Sequence, residues 1–574
     1  MPFPEATPEP PSGTVPRDAR QDAVPVAEAR AIAAAAEGDT APLAAVVAAQ
    51  ARAFDPSGLA RHLAQLERLP ASPVRDAALA LTGAQVDGGV SAGRAAVGAL
   101  AADAPAIAAS VAVGMAGILA DRGLWAEAAW FVAEAQDATR RLPPSETAEA
   151  LWFGAMAVAA LVEWNTYAGD AAFEELTAAL AAPRARNLLR AHHAPALLAL
   201  GRVLAGRGEF GAAAVSIARG IQLLPPEPSV LRAASYATLA LVRYRQGDWR
   251  DARRAVRASE ETAAGGDGRW LRAIAAAVAT LDPALRGELR LARERIEAAL
   301  HALSEQWSVM AHSILLNARI GVVIGANDWT EMVQLLEAAE EPGYRRMYTD
   351  AEWRTLWAIA LRNSGRVERY RALLDEWAGV PEAETHAYHW AHRALLAQID
   401  GDGAAALAAA RRARECISER DDPLGRGWTR IVVGTIVSLY GDPAEGMESY
   451  EQARAEFAEL DAGGFVRLCT SIIQGTAAEL ARVSGDALRA LTAQQRRVAE
   501  LVAEGYTSAE IGQILYLSKK TIDFHVGNIV SRLGLGSRRE IKRLLDGTRA
   551  AAQGAGLDPR PLSERSEPKG PARG

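Results

Sequence analysis

Lysine is nearly absent from this chain. Of 63 lysine and arginine residues in 574, the only lysines are Lys519, Lys520, Lys542 and Lys569. Without one before residue 519, the first 518 residues cannot hold a GxxxxGK[ST] phosphate loop, whose lysine reaches the terminal phosphates, nor a lysine Schiff base. Cysteine is almost as scarce: Cys416 and Cys469 are the two, which excludes a disulfide framework and fits a reduced cytoplasm. The N-terminus has no basic segment leading into an apolar run, so no signal peptide is expected. The longest uncharged run, Ala104 to Ala120, is 17 residues of mostly alanine and glycine, too short and weakly apolar for a span, and a buried helix is expected there rather than a membrane contact. Strand patterning is missing, and no HExxH motif, cysteine pair or supported Ser-His-Asp set occurs. No enzyme activity, metal or cofactor is expected.

What fills the space is helix-forming sequence, rich in alanine, leucine, arginine and glutamate, from about residue 25 to 483. It is punctuated at a steady interval. Turn signals begin at Gly123, Gly169, Gly208, Gly247, Gly287, Asn327, Gly365, Gly401 and Gly441, spaced 46, 39, 39, 40, 40, 38, 36 and 40 residues apart. A period near forty, with one small turn per unit and often an aromatic residue just after it, predicts stacked helical hairpins, because one hairpin cannot bury its apolar face alone. The turns resemble those of tetratricopeptide repeats, with a longer unit. Such a solenoid offers a concave face to a small-molecule or protein effector. All 13 tryptophans lie between Trp125 and Trp428. They either fill gaps between small helices or line an effector pocket, with Trp353, Trp357 and Trp377 as first candidates. His386, His389 and His392 sit close together; a metal site is one reading, and a solvated or groove-facing cluster is the expectation.

The segment from Arg489 onward changes character. Between Arg489 and Arg549 eleven lysines and arginines face six acidic residues, a net +5, whereas the whole chain is −7, leaving −12 for the remainder. A basic module on an acidic body points to a nucleic-acid contact at one end. Thr492 with Gln495, Thr507 with Glu510 and Ser537 with Glu540 have capping-box spacing. Ser518 is a further N-cap candidate, and Gly505 and Gly534 fit left-handed helix ends. Four helices follow, near 493–503, 508–515, 519–533 and 538–545. Val498, Leu501, Val502, Ile511, Ile514, Leu515, Ile522, Val526, Ile529 and Leu533 fall on helical spacing as their apolar faces. Only Tyr516 and Leu517 separate the second helix from the cap of the third, so the two must cross sharply, as in a helix-turn-helix.

This segment resembles the LuxR-type helix-turn-helix domain found in response regulators, quorum-sensing regulators and large helical-repeat activators. The residues that carry the resemblance are Leu491-Thr492, Val498, Gly505, Glu510-Ile511, Leu515, Ser518, Thr521-Ile522, His525-Val526, Asn528-Ile529, Leu533-Gly534 and Ser537-Arg538. They keep the family spacing without a gap, over about a tenth of the chain. The resemblance implies double-stranded promoter DNA as partner, with the motif at about 508–527. Thr507, Ser508, Lys519, Lys520 and Thr521 match positions that touch the DNA backbone. Asp523, Phe524 and Gly527 match those facing base edges. His525 and Asn528 lie nearer the backbone, and Arg532 and Arg538 add phosphate charge. For His525, packing between helices is as good a reading as a contact. Asp523 and Gly527 depart from members carrying lysines there. An aspartate can only accept, which suits a cytosine amino group, and a glycine reads nothing. The resemblance further implies a dimer on DNA through the fourth helix, where Ile541, Leu544 and Leu545 form an apolar stripe that could instead pack inward. The nucleoside-triphosphatase module of many large members is not expected here.

The expected fold class is all-α: an α-solenoid of helical hairpins followed by a four-helix LuxR-type helix-turn-helix domain. The expected organisation is a disordered lead over 1–24, a solenoid over 25–483, the DNA-binding domain over 484–549 and a disordered tail over 550–574. The expected function is a cytoplasmic bacterial transcription regulator whose solenoid senses an effector or governs contact with RNA polymerase. The alternative is a repeat scaffold whose helix-turn-helix mediates protein contacts.

Overall fold

The computed structural model describes residues 23–84, 89–182, 189–265, 269–304, 308–340, 348–418, 422–463, 465–467, 469–473, 491–532, 537–539 and 541–542. Among them every regular element is helical. Residues 1–22 of the expected lead, the expected tail and the junction at 474–490 lie outside the described residues, while Ala23 and Val24 already belong to the first helix.

The recurring turn has a simple local cause. Gly247 closes the helix Val230–Gln246 at φ +84, and Asp248 accepts a hydrogen bond from the amide of Asp251, capping the next helix. Trp249, at that helix's first position, is 2% exposed and donates from Nε1 to the Tyr244 carbonyl at 3.1 Å. One short stretch therefore ends one helix, starts another and supplies the ring that seals the hairpin. Asn327-Asp328-Trp329 repeats the arrangement, with Asn327 at φ +57 and Asp328 accepting from Glu331. Of the nine expected turn positions, eight have positive φ; Gly441, at φ −125, is the exception.

Among the described residues, nine hairpins follow in order. They pair Pro105–Asp121 with Trp125–Arg141, Glu146–Thr166 with Ala171–Ala181, and Ala194–Gly206 with Phe210–Leu223. Next come Val230–Gln246 with Trp249–Ala264, the broken helix Arg269–Val278 and Leu281–Leu285 with Leu289–Ser304, and Val309–Ala326 with Trp329–Ala338. The last three are Asp350–Asn363 with Val367–Ala378, Ala387–Asp400 with Gly403–Cys416, and Pro423–Tyr440 with Pro443–Glu459. Two more pairs precede them, Ala23–Ala36 with Ala41–Arg52 and Pro73–Gly83 with Gly89–Leu100. The run Ala104–Ala120 is a largely buried helix, as expected. Glu146–Thr166 and Val309–Ala326 are long and apolar enough to cross a membrane, and 61% of each apolar window is buried against neighbouring helices. A central helix of a solenoid is covered on both sides, so it reads as apolar all round.

The hairpins wind tightly enough to touch across turns of the superhelix. Gly123 lies beside Val309, and Gly208 beside Thr349. The Arg245 guanidinium donates to both Glu352 carboxylate oxygens at 2.8 and 2.7 Å. Residues from Ala233 to Val322 share one core with Ile431, Tyr450, Phe457 and Leu460. The winding thus packs hairpins distant in the chain against one another.

This geometry separates two kinds of glycine. A β-carbon on Gly401 (φ +80) would meet nothing within 4 Å, whereas one on Gly247 would approach Leu460 Cδ2 at 2.8 Å and Pro423 Cγ at 2.9 Å. Gly401→Ala is expected to cost about 1 kcal/mol, the left-handed penalty alone. Gly247→Ala adds overpacking between superhelical turns and is expected to cost about 3 kcal/mol in total. Denaturant midpoints of the two variants would separate these values.

Candidate nucleic-acid interface

The C-terminal helices are Ala493–Ala503, Ser508–Leu515 and Lys519–Arg532, beginning and ending where the capping signals put them as far as the described residues extend. Thr492 and Thr507 each form the reciprocal box, with Gln495 and Glu510. Gly505 sits at φ +95. The Thr521 amide donates to Ser518 Oγ at 3.0 Å, capping the third helix. Leu491, Val498, Leu501, Val502, Ile511, Leu515, Leu517, Ile522, Val526 and Ile529 form one core with Ile541. Only Ser537, Arg538, Arg539, Ile541 and Lys542 of the fourth-helix segment are described.

Between the second and third helices, Tyr516 takes φ +56, and its amide and that of Leu517 both donate to the Gly512 carbonyl. A β-carbon at Gly512 would fall 2.4 Å from the Leu517 carbonyl oxygen. The sharp crossing needs a glycine at 512, a requirement that sequence reading missed although a small residue inside the second helix was its visible signal.

The candidate contact residues divide by exposure. Lys519, Lys520, Asp523, Phe524 and Gly527 are exposed on the third helix, Phe524 to 60%, and Asn528 is half-buried. Thr507 is exposed, with its hydroxyl held by the Glu510 carboxylate at 2.8 Å. Other candidates are committed internally. Thr521 is 6% exposed and its hydroxyl lies 2.8 Å from Ser518 Oγ. Ser508 is buried and accepts from Arg538 Nη1 at 2.6 Å, while Arg538 Nη2 donates to the Tyr506 carbonyl at 2.6 Å. Arg538 thus ties the fourth-helix segment to the second helix. Ile541 is 0% exposed in the domain's own core, the inward-packing one of the two readings its sequence allowed. Leu544, Leu545 and the side chain of Arg532 lie outside the described residues.

For His525 the structure favours the packing reading: it is 5% exposed, and its Nε2 is buried without a partner. Burial pulls its pKa down to about 4, so the ring is held neutral. Because the folded value lies below the ordinary one near 6.5, the neutral ring's contribution is complete above about pH 6.5 and is lost as pH falls toward 4, by up to about 3 kcal/mol. Hydrogen exchange at Val498, Ile522 and Ile529 is expected to accelerate over that window in the full chain. In His525→Leu the acceleration should disappear.

Residues 489–545 match the family described as bacterial regulatory proteins, luxR family. The C-terminal segment is a luxR-family helix-turn-helix domain. Among curated relatives, the transcriptional activator protein SolR of Ralstonia nicotianae is 50% identical over 44 residues, covering 8% of this chain and 19% of its own length. The transcriptional regulatory protein DegU of Brevibacillus brevis is 36% identical over 53 residues, covering 9% and 22%. The chain therefore spans about a fifth of the length of the curated relatives it matches. A solved Rap protein complexed with competence and sporulation factor aligns with 65% of this chain and 98% of its own, at a TM-score of 0.38 and 10% identity.

The luxR-family domain does not stand apart from the hairpins. Tyr516 packs against the core shared by the central and last hairpins rather than against its own domain. Tyr440, at the end of the helix Pro423–Tyr440, donates to Gln494 Oε1 at 2.7 Å. A β-carbon built on Gly365 would lie 3.4 Å from Lys520 Cδ. Lys519 and Ser518 line a cavity whose other walls are solenoid helices. The start of the luxR-family recognition helix therefore faces the solenoid.

The remaining sequence candidates resolve away from chemistry. His386 precedes the helix Ala387–Asp400 as its cap, while His389 and His392 are 2% and 0% exposed beside Trp377. A solvated cluster is thereby corrected to a packed one, with burial holding both pKa values down. Trp353 and Trp357 both donate to Glu340 Oε1, at 3.1 and 2.9 Å, and Trp377 is buried. None of the three lines that cavity; Trp329 and Trp428 do. One grouping that sequence spacing did not suggest is Glu149 with His192 and His193, whose ligand atoms lie within 4.8 Å of one another. Residues over forty positions apart cannot be paired by eye in a single sequence.

Proposed function

We propose that this protein is a transcription regulator that binds promoter DNA through its luxR-family domain and is controlled by its helical-repeat region. The observation that carries the reading is the match over 489–545 together with a recognition helix presenting Lys519, Lys520, Asp523 and Phe524 outward from a fully formed core. Lys519, Lys520 and the N-terminal amides of the third helix would hold phosphates. Asp523 would accept from a cytosine amino group, and the exposed Phe524 ring would meet a thymine methyl. Thr507 and Asn528 would position the domain on the backbone. Pairing on DNA would use Leu544 and Leu545, and the solenoid would gate that pairing or a polymerase contact. With two free thiols, the chain suits a reducing cytoplasm.

The contact between solenoid and luxR-family domain supports control by position. With Lys520 against Gly365 and Lys519 bordering the shared cavity, the solenoid would crowd a duplex approaching the start of the recognition helix, although both lysines are exposed to solvent. The structure would correspond to a held state, and DNA binding would require release. The same contact is what favours the scaffold reading as runner-up.

Genomic footprinting of the full chain beside a Lys519→Ala, Lys520→Ala variant tests both. Discrete wild-type peaks lost in the variant, and a drop of about two in the slope of log affinity against log salt, are expected. Binding that is absent under all growth conditions, or insensitive to salt, would leave the scaffold reading.

A further inference from the structure

The cavity between solenoid and luxR-family domain measures about 780 Å³, a volume that suits a small organic molecule. Most of its wall is apolar, including Leu356, Ile359, Trp428 and Phe457 from the hairpins and Leu517 from the luxR-family domain. One group on that wall is out of place. Arg362, on the helix Asp350–Asn363, is 2% exposed and lines the cavity. Its Nη2 donates to Asn363 Oδ1 at 3.1 Å, but its Nε and Nη1 are buried with no partner. The Tyr370 and Tyr516 hydroxyls are its electrostatic neighbours, and no carboxylate among the described residues pairs with it. The Tyr370 hydroxyl is already spent on the His392 carbonyl at 2.8 Å, whereas that of Tyr516 is buried and unpartnered.

The other charges around the cavity are accounted for. Arg245 and Glu352 satisfy each other, Asp422 accepts from the Gly425 amide at 2.9 Å, and Lys519 is solvated. Among the described residues around the cavity, Arg362 alone carries a buried positive charge without an anion. A guanidinium cannot shed its proton to escape that cost, so an anion arriving to meet it would relieve the cost. The unpartnered N–H donors on Nε and Nη1 and the Tyr516 hydroxyl are the polar contacts offered at this point of the wall, beside the apolar side chains named above. A single positive charge neutralises a single negative one; a doubly charged phosphate would be left half unpaired between apolar walls.

We propose that this cavity binds a small amphipathic acid, its carboxylate on Arg362 and its apolar body against Leu356, Ile359, Trp428 and Phe457. The proposal rests on the regulator reading for its purpose, since Tyr516 and Leu517 belong to the luxR-family domain and the ligand's occupancy is thereby coupled to where that domain sits.

Calorimetric titration of the full chain without DNA tests it, using dodecanoate, 4-phenylbutyrate and indole-3-acetate, each against its neutral alcohol. At least one acid is expected to bind at one per chain, tenfold or more tighter than its alcohol. Arg362→Met should erase that preference, and Arg362→Lys should retain part of it. The empty Arg362→Met protein should also melt higher than wild type, because a lone buried charge has been removed. Failure of every acid to bind, equal binding of acid and alcohol, unchanged acid binding in Arg362→Met, or a lower melting temperature for that variant would each overturn the proposal. None of these outcomes bears on DNA binding, which footprinting reads separately.

Discussion

Gly512→Ala is expected to unfold the luxR-family domain while leaving the hairpins folded, and to abolish the proposed DNA binding. The added β-carbon would fall 2.4 Å from the Leu517 carbonyl oxygen, a backbone atom rather than the end of a flexible side chain. Relief would require opening the turn. That turn is already fixed by two amide donors on one carbonyl and by Tyr516 in a left-handed conformation. Opening it would move Leu517 and Ile522 out of the domain's core. The cost is expected at about 3 kcal/mol, the upper end for overpacking, a large share of the stability a domain of some sixty residues can hold. Circular dichroism should show two separated transitions in the variant, the first carrying only the luxR-family helices. One cooperative transition at the wild-type temperature would show that the turn tolerates the methyl group.

Tyr516→Gly is expected to act in the opposite direction and raise the DNA affinity of the full chain by tenfold or more. A bulky residue at φ +56 carries backbone strain of about 1–3 kcal/mol, and glycine removes that strain within the luxR-family domain. The same substitution deletes a ring whose contacts lie in the solenoid's core. The domain is thus made no less stable while its attachment to the solenoid is weakened. If attachment and DNA compete for the same helix start, affinity rises by the fraction of molecules released, and about 1.4 kcal/mol of lost attachment is a factor of ten. Fluorescence anisotropy on a duplex recovered by footprinting would measure it. An unchanged or lower affinity would mean that the contact does not compete with DNA.

Much of the architecture could be read directly. The glycine-aspartate-aromatic stretches near Gly247 and Asn327 dictate a left-handed helix end, a capped helix start and a sealing ring from adjacent residues. Local chemistry therefore announced the hairpins and their period. The capping boxes at Thr492 and Thr507 did the same for the luxR-family helices, as Ser518 did for the third. Thr521 was read as a DNA contact, and His525 left open between contact and packing, because position in a family motif does not report which face of a helix is turned inward. Ile541 carried both readings in the sequence, and the packed core chose one. The tryptophans could not be sorted, since a ring that fills a gap and a ring that lines a cavity are the same letter.

Sequence alone determined the elements: helices, turns, caps, the absence of a lysine-dependent phosphate site, and a basic helix-turn-helix on an acidic body. Those properties depend on residues within one turn of each other or on simple sums over the chain. The tertiary structure decided what required distant residues to meet. It wound Arg245 onto Glu352, set Tyr516 against the central hairpins, and left Arg362 without an anion in a cavity that two parts of the chain enclose. Superhelical pitch fixes those meetings, and pitch is the sum of small rotations at every hairpin interface. No single stretch of sequence encodes that sum.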